Sequence, residues 1–177
     1  MAAFKLSSEM LHTHVVRWGA NRLRLNLHRW TDYPAKLVVS VRGVIFSGSR
    51  VMVVSALTPN DGIMHHIMPG GRVEKGETLL QALRREAGEE TGWRIARPRP
   101  LAVLHYCHLT PRPEGHPFAF PDFVQPIFLV DAVRYDRRLL KRAGEIETGS
   151  RLVSFRKAAA IITPEQKILL REALAMR

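Results

Sequence analysis

Hydrophobic and polar positions divide the chain into segments with strand or helix periodicity. β-branched runs at 36–46 and 50–54 flank the turn-like residues 47–49, which predicts a β-hairpin. Apolar residues at helical spacing after Pro164 predict a C-terminal packing helix. Apolar runs at 100–109 and 123–133 predict two more strands, joined by a loop that contains Pro111, Pro113, Pro117 and Pro121. This order of elements predicts a mixed sheet flanked by helices.

The first 34 residues form an N-terminal extension ahead of a predicted main domain at 35–177. Leucine alternates with polar residues from 22 to 27, which is the period-2 pattern of a strand with one buried face and one basic face. Such a strand extends the sheet or crosses to a second subunit. A plain edge strand is the simpler interpretation, and we favour it.

The segment 78–92 has the signals of a short helix with defined ends. Thr78 followed three residues later by Gln81 has the capping-box form, in which each side chain satisfies a free backbone N–H. Gly92 supplies the stop signal. An apolar stripe that can bury against a sheet is predicted from Leu79, Leu80, Leu83 and Ala87.

The same helix carries three carboxylates on one face, Glu86, Glu89 and Glu90. Positions i, i+3 and i+4 share a face, so these charges repel one another by roughly a few tenths of a kcal/mol per pair. A hard divalent cation such as Mg²⁺ would turn that repulsion into attraction, because it prefers oxygen ligands. The three glutamates therefore predict a metal site.

From Gly71 to Trp93 the spacing G-x5-E-x7-R-E-U-x-E-E-x-G-U, where U is a bulky apolar residue, resembles the signature of the Nudix hydrolases. Pro69 and Gly70 resemble the Pro-Gly-Gly lead-in that is common in that family. The resemblance implies an α/β/α sandwich with a mixed β-sheet between helices. All charged and glycine positions of the signature are present, namely Gly71, Glu77, Arg85, Glu86, Glu89, Glu90 and Gly92.

The resemblance also implies roles for the motif residues. Arg85 is expected to orient a motif carboxylate through a charge-assisted hydrogen bond, which its planar fork makes better than lysine could. Glu77 is expected to fix the loop against the helix rather than to bind metal. The expected ligands of Mg²⁺ or Mn²⁺ are Glu86, Glu89 and Glu90, with the backbone carbonyl of Gly71.

A general base must accept a proton from the attacking water, and family members keep it in different places. Glu89 is one candidate. The other lies in an acidic loop ahead of 152–155, where Glu145 or Glu147 would reach back to the metal site as in many relatives. Gly70 and Gly71 have no Cβ, so main-chain groups there can approach a metal or a phosphate.

Length and composition indicate a single globular domain. With 177 residues and 46% hydrophobic content, the chain is large enough for one substantial core and too short to need two domains. One cysteine, Cys107, excludes an internal disulfide framework. No apolar run is long enough to cross a bilayer, and the N-terminus lacks a secretion-type signal. We therefore expect a cytoplasmic protein that has no membrane partner.

Charge bears on the partner rather than on the fold. The 27 Lys and Arg residues exceed the 16 Asp and Glu residues, giving a net charge of +11 that favours phosphorylated ligands. Arginines are spread from Arg17 to Arg177 without the compact lysine and arginine stretch or the interleaved aromatics of a nucleic-acid motif. A small phosphorylated substrate is therefore favoured over nucleic acid. The protein is expected to be a monomer or a homodimer.

The expected reaction is metal-dependent cleavage of a pyrophosphate bond in a nucleoside diphosphate linked to another group. ADP-ribose, a nucleotide sugar and a nucleoside triphosphate are examples of such substrates. The positive net charge is the reason to retain an alternative function, that of a phosphohydrolase that acts on RNA 5′ ends or on diphosphoinositol polyphosphates. A non-catalytic Nudix-fold binding or regulatory module is a further alternative, although such modules commonly lose motif carboxylates and this chain keeps them. Variable loops such as 107–122 set the flanking group.

Overall fold

The computed structural model describes residues 4–57, 64–112, 114–141 and 147–177. Within these ranges the chain forms one sheet of nine strands with three α-helices packed on it. No helix of the described part is both long enough and apolar enough to span a bilayer. The strands are β1 (Met10–Trp18), β2 (Asn21–Arg29), β3 (Ser40–Ser47), β4 (Arg50–Leu57), β5 (Met64–Ile67), β6 (Gly70–Arg72), β7 (Trp93–His108), β8 (Asp122–Tyr135) and β9 (Glu147–Ser154). The helices are α1 (Leu79–Thr91), α2 (Phe155–Ile161) and α3 (Pro164–Ala175), with short 3-10 helices at Ala35–Leu37 and Arg137–Leu139.

The sheet is mixed because β3 and β8 run parallel while the other paired strands run antiparallel. Its order is β1-β2-β7-β8-β3-β4-β5, with β6 paired to β3 and β9 paired to β4. β3 and β4 pair only beside their turn, where Phe46 lies opposite Val51. Further along β3, the partner is β6, and Arg42 lies opposite Gly70. We call the connection 69–78, of which β6 is the paired part, the Gly70–Gly71 loop, and the sheet holds this loop against β3.

Alternating residues of the sheet supply a separate core for each face. On one face, Leu83 and Ala87 of α1 pack in a cluster with Ile45 and Val130. On the other face, a larger cluster joins the sheet to α2 and α3 through Ala158, Leu169, Leu170 and Ala173. The predicted α/β/α sandwich with a mixed sheet is confirmed.

The predicted strands and C-terminal helix are present, with differences in their ends. β3 and β4 form the predicted hairpin, although β3 begins at Ser40 and a 3-10 helix precedes it. β7 begins before its predicted start at 100, and β8 ends after its predicted end at 133, because the two strands pair as far as Trp93 opposite Tyr135. Backbone pairing therefore extends these strands into segments whose side chains are more polar.

The edge-strand interpretation of residues 22–27 was wrong. β2 pairs with β1 on one side and with β7 on the other, so it is an interior strand. Its three leucines are buried, as the alternation predicts. The edge strand is β1, which the sequence analysis missed because His12, Thr13 and His14 interrupt its apolar pattern. Residues 10–29 therefore belong to the same sheet as the rest of the fold.

The predicted ends of α1 are confirmed. The Thr78 N–H donates to Gln81 Oε1 at 2.8 Å, and the Gln81 N–H donates to Thr78 Oγ1 at 3.3 Å. Gly92 adopts a left-handed φ of 72° and donates its N–H to the Gly88 carbonyl at 2.8 Å. A Cβ at Gly92 would also collide with the Tyr135 ring, 2.6 Å away. These caps fix which residues of α1 face the sheet.

Candidate active site

Three glutamates of α1 line one cavity on the α1 face of the sheet. Glu86, Glu89 and Glu90 lie within about one turn of the helix, as their spacing predicts. The cavity, which we call the carboxylate cavity, has a volume of about 760 Å³. Its other lining residues include Trp93, Tyr135, Arg137, Lys141 and Arg151. The structure thus brings the three predicted metal ligands together in a space that can hold a substrate.

Gly71 lies against the carboxylate of Glu86. A Cβ built on Gly71 would be 2.5 Å from Glu86 Cδ and 2.7 Å from Glu86 Oε2. These separations are far below the roughly 3.5 Å at which non-bonded heavy atoms make a favourable contact. The carboxylate therefore occupies the space that any side chain at position 71 would need.

Gly70 joins the loop to α1 through its backbone. Its N–H donates to Glu90 Oε2 at 2.8 Å. Its φ is 144°, and a Cβ there would lie 2.6 Å from the Cα of Arg42 in β3. Glycine is needed because neither the conformation nor the space suits a side chain. The loop is thereby fixed to Glu90 through Gly70, while Gly71 leaves room for Glu86.

Arg85 connects the loop, the helix and two of the carboxylates. Its Nε and Nη2 donate to the two oxygens of Glu77 at 2.7 and 2.9 Å. Its Nη1 donates to Glu86 Oε1 at 2.8 Å and to Glu89 Oε2 at 3.4 Å, and its Nη2 also donates to the Arg72 carbonyl at 2.8 Å. A planar guanidinium can make these bonds together, whereas a lysine ammonium cannot.

Glu77 lies between the loop and α1 and does not line the carboxylate cavity. Besides Arg85, the Glu74 N–H donates to Glu77 Oε2 at 3.0 Å. The Arg85 hydrogen bond, followed by that of Glu74, lowers the pKa of Glu77 to about 2. The Glu77 hydrogen bond in turn raises the pKa of Arg85. Both groups are therefore ionised at neutral pH and tie the loop to the helix.

Lys141 is a site residue that the sequence analysis did not find. Its Nζ forms an ion pair with Glu89 Oε1, and its backbone N–H donates to the Glu89 carbonyl at 3.1 Å. With Arg85 on Oε2, both oxygens of Glu89 contact a cation. The sequence held no signal for Lys141 beyond a basic residue after a predicted strand, because its contact with α1 arises from the fold.

The carboxylates suit a hard divalent cation, because all of their donor atoms are oxygens. Within the described ranges, no group of three His, Cys, Asp or Glu side chains is already arranged as a metal-binding set. Arg85 contacts Glu86 and Glu89, and Lys141 contacts Glu89. The missing Cβ at Gly71 leaves the Glu86 carboxylate directly beside the loop backbone. These residues fit a Mg²⁺ or Mn²⁺ site.

The three candidates for the general base differ in what the structure describes. Glu89 lines the carboxylate cavity. Glu147 is the first residue of β9, opposite Ala56, but its side chain lies outside the described residues. Glu145 lies wholly outside them. Glu89 is therefore the candidate whose carboxylate has a described position beside the predicted metal ligands.

A second cavity, which we call the α3-side cavity, lies on the opposite face of the sheet. It has a volume of about 320 Å³ and is lined by residues of β1 to β5, β7, β8 and the start of α3. Apolar walls surround a few polar groups, a combination that is typical of small-molecule sites. Its lining includes Trp18, Arg42, Tyr106, Gln125 and Glu165.

The α3-side cavity is connected to the segment just before the Gly70–Gly71 loop. Arg42, which lines the cavity, donates through Nη1 to the Met68 carbonyl. Gln166 accepts a hydrogen bond from the Met68 N–H at 2.6 Å. Arg42 also lies opposite Gly70 in the β3–β6 pair. The two cavities therefore lie on either side of residues 68–71.

Trp18 forms part of the wall of the α3-side cavity. Its ring stacks on Tyr106 with centroids 6.0 Å apart, and Tyr106 stacks on Phe123 at 4.5 Å. Trp18 remains 51% exposed although this stack fixes its orientation. Burial raises the pKa of Tyr106 to about 12, so its phenol is neutral. An oriented, half-exposed indole is suited to stacking on a planar ligand.

The proline-rich loop reaches the site indirectly. The Arg72 guanidinium lies over the Phe118 ring, 5.0 Å from its centroid. The Arg72 carbonyl in turn accepts a hydrogen bond from Arg85. The described residues of 109–121 line neither the carboxylate cavity nor the α3-side cavity. This loop thus supports the Gly70–Gly71 loop from outside.

Comparison with known proteins identifies a family. The model of the NUDIX domain matches residues 36–173, which is most of the chain. No curated protein sequence matches the chain. A solved NUDIX hydrolase from Nitrosomonas europaea is similar to it with a TM-score of 0.60 and 22% identity, over 79% of this chain and 90% of that one.

Two other solved structures share the fold. The pyrophosphohydrolase BsRppH from Bacillus subtilis has a TM-score of 0.58 and 20% identity, over 88% of this chain and 92% of that one. An Ap4A hydrolase from C. elegans has a TM-score of 0.53 and 20% identity, over 78% of this chain and 97% of that one. At such identities the likeness shows the fold and leaves the substrate undetermined.

Proposed function

The chain belongs to the NUDIX family of hydrolases, and from this premise we propose that it cleaves a phosphoanhydride bond in a nucleoside diphosphate linked to another group. The single observation that carries the proposal is the set of three α1 carboxylates lining a cavity that also contains basic side chains. Carboxylates favour a divalent cation, and basic groups favour the phosphates of a substrate. Proteins of this family generally use divalent cations, and we propose Mg²⁺ or Mn²⁺ here.

In this proposal the metal ligands are Glu86, Glu89 and Glu90, with the Gly71 backbone. A bound divalent cation would neutralise the charge on the diphosphate and lower the pKa of the attacking water. Arg85 orients Glu86 and Glu89, while the Gly70 N–H orients Glu90. Glu89, or Glu145 or Glu147 from the acidic loop, accepts the proton of the attacking water.

The α3-side cavity is our proposed site for the nucleoside part of the substrate. Its wall offers the Trp18 ring for stacking, and Arg42 and Glu165 supply polar groups among the apolar ones. Its position beside residues 68–71 would direct the phosphates of a bound nucleotide toward the carboxylates. The protein would then act on a small nucleotide derivative, in the cytoplasm, as a monomer or homodimer.

The net charge of +11 favours one alternative, a phosphohydrolase that acts on RNA 5′ ends or on diphosphoinositol polyphosphates. Such substrates carry more negative charge than a nucleoside diphosphate derivative, so their binding would weaken more steeply as the salt concentration rises. A non-catalytic binding module is disfavoured, because all of the motif carboxylates are retained.

The proposal is tested by measuring hydrolysis of a substrate panel with Mg²⁺ or Mn²⁺. The panel contains ADP-ribose, nucleotide sugars, dinucleoside polyphosphates, nucleoside triphosphates and triphosphorylated RNA, and products are identified as well as rates. Glu90→Gln keeps an oxygen that can accept the hydrogen bond from the Gly70 N–H, but it removes the negative charge that would bind the metal. This variant should therefore abolish turnover. Glu114→Gln, on the exposed proline-rich loop, is the matched control and should leave turnover unchanged.

Metal-dependent turnover that is lost in Glu90→Gln would support the mechanism, and the preferred substrate would identify the class. Folded protein that binds the cation but turns over no member of the panel would reject a common nucleotide pyrophosphatase. Turnover confined to RNA or inositol substrates would select the alternative.

A further inference from the structure

Glu89 contacts two cations that differ in their freedom to move. The Arg85 guanidinium is 20% exposed and is held by both oxygens of Glu77 and by the Arg72 carbonyl. The Lys141 side chain is 69% exposed, and its ammonium contacts Glu89 at the end of a flexible stem. Arg85 is therefore a fixed part of the site, whereas Lys141 can change partners at little cost.

We propose that Lys141 is a phosphate-binding residue that neutralises Glu89 in the metal-free protein and moves to a substrate phosphate when a divalent cation binds. The proposal rests on the function proposed above, because it assumes that Glu89 takes part in metal binding. It adds a residue outside the signature motif and gives that residue two successive anionic partners.

Competition between Lys141 and the metal follows from their shared oxygen. Lys141 Nζ contacts Glu89 Oε1, so a divalent cation bound at that oxygen would meet an ammonium group of like charge. The ammonium and the metal therefore compete for this oxygen. Arg85 stays, since Glu77 and Arg72 hold it independently of Glu89. The ammonium of Lys141 is thus the group that a metal displaces.

The backbone of Lys141 limits where the displaced ammonium can go. Its N–H donates to the Glu89 carbonyl at 3.1 Å, which keeps the residue at the rim of the carboxylate cavity. Arg137 and Arg151 line the same cavity, so a polyphosphate placed beside the three carboxylates would also be near these basic groups. Lys141 would join them, and its ammonium would then neutralise a phosphate charge instead of the charge of Glu89.

The proposal requires opposite effects on metal and phosphate binding in one variant. Lys141→Met keeps the length of the stem and removes the charge. Without the competing ammonium, the substrate-free protein should bind Mn²⁺ about two- to fivefold more tightly, the range expected when an exposed ion pair no longer has to be broken. With the metal in place, the same variant should bind methylenediphosphonate, a diphosphate that cannot be hydrolysed, several-fold more weakly.

The experiment measures Mn²⁺ binding to the free protein by titration calorimetry and by electron paramagnetic resonance, then methylenediphosphonate binding at saturating Mn²⁺. Arg137→Met is the matched control, because Arg137 lines the same cavity without an ion pair to Glu89 in the structure. It should weaken diphosphonate binding and leave Mn²⁺ affinity unchanged. Lys36→Met, in the 3-10 helix before β3, should change neither affinity and so controls for net charge.

Each outcome bears on one of the two proposals. If the wild-type protein binds no Mn²⁺, the proposed function fails first. If it binds Mn²⁺ and Lys141→Met changes that affinity in the same direction as its diphosphonate affinity, or leaves Mn²⁺ affinity unchanged, the exchange of partners is rejected. Tighter metal binding together with weaker diphosphonate binding, seen in Lys141→Met but not in Arg137→Met, supports it.

Discussion

The carboxylate cavity and the α3-side cavity lie on either side of residues 68–71, yet they are built in different ways. The acidic side chains of the first, Glu86, Glu89 and Glu90, all come from α1. The second draws its lining from seven of the nine described strands, all except β6 and β9, and from the start of α3. The proposed metal ligands are therefore local in sequence, whereas the walls of the α3-side cavity are assembled by the whole fold.

Their electrostatics differ as well. In the carboxylate cavity, charged side chains contact one another, as Lys141 contacts Glu89, and beside the cavity the Arg85 hydrogen bond lowers the pKa of Glu77. In the α3-side cavity, burial keeps the Tyr106 phenol neutral, and a stacked aromatic wall dominates. Substitutions in the first cavity should therefore change kcat, and substitutions in the second should change KM.

The largest expected effect is that of Gly71→Ala. The added methyl group would occupy the space of the Glu86 carboxylate, so Glu86 must move and the proposed metal site would be distorted. We expect kcat/KM to fall roughly 100-fold or more, as for other displacements of about 1 Å in an active site. Steady-state kinetics and Mn²⁺ titration measure the effect.

Gly88→Ala is the control for that substitution, because Gly88 lies within α1 and its Cβ would only touch Leu139 at 3.4 Å. It should keep full activity and gain slightly in stability, since alanine is the better helix former. Equal losses in both variants would mean that any added methyl group near α1 disturbs the site, and the special contact of Gly71 would be disproved.

Arg85→Lys should have the next largest effect. Lysine cannot replace the paired bonds to Glu77 together with those to Glu86 and Arg72. We expect the free energy of unfolding to fall by about 2 kcal/mol and kcat to fall about tenfold or more. Urea unfolding and kinetics measure the two losses, and a variant that lost stability with unchanged kcat would show that Arg85 does not orient the carboxylates for reaction.

Trp18→Ala tests the other side of the comparison. Loss of a stacking surface should raise KM about tenfold and leave kcat nearly unchanged. Val15→Ala is the control, because Val15 is exposed on the same strand but does not line the α3-side cavity. A fall in kcat at constant KM in Trp18→Ala would mean that the ring supports the fold of the site rather than holding the substrate.

The smallest expected effect is a loss of folding stability at acid pH when Glu77 is protonated. The pKa of Glu77 is lowered from 4.5 to about 2, so its ionised form stabilises the fold above pH 4.5, and this contribution is lost as pH falls toward 2. Glu77→Gln should therefore be less stable than the wild type at pH 7, and the gap should narrow between pH 4.5 and 2. Urea unfolding across that range measures it, and a gap that does not change with pH would contradict the ion pair.

The sequence was informative where neighbours along the chain make the structure. Thr78, Gln81 and Gly92 define α1 through contacts within a few residues, so its ends could be read from spacing. The same spacing places three glutamates on one helix face. β2 was recognised as a strand for a similar reason, because its alternation of leucine and polar residues records one buried face.

The sequence was uninformative where partners come from distant segments. Nothing local distinguishes an edge strand from an interior one, because strand position depends on which other strands pair with it, and β2 was misassigned for that reason. Lys141 looked like an ordinary loop residue, since its contact with Glu89 exists only after β8 returns the chain to the end of α1. Trp18 gave no signal for the same reason.

By itself the sequence determined the α/β architecture, the ends of α1 and the cluster of carboxylates, because each depends on periodicity or on contacts within one turn of helix. The tertiary structure alone decided the order of the nine described strands, the fit of Gly71 against Glu86 and the contact between the Lys141 ammonium and Glu89. It also decided the α3-side cavity, whose walls come from both ends of the chain. Long-range pairing brings such residues together, and no spacing along the chain records it.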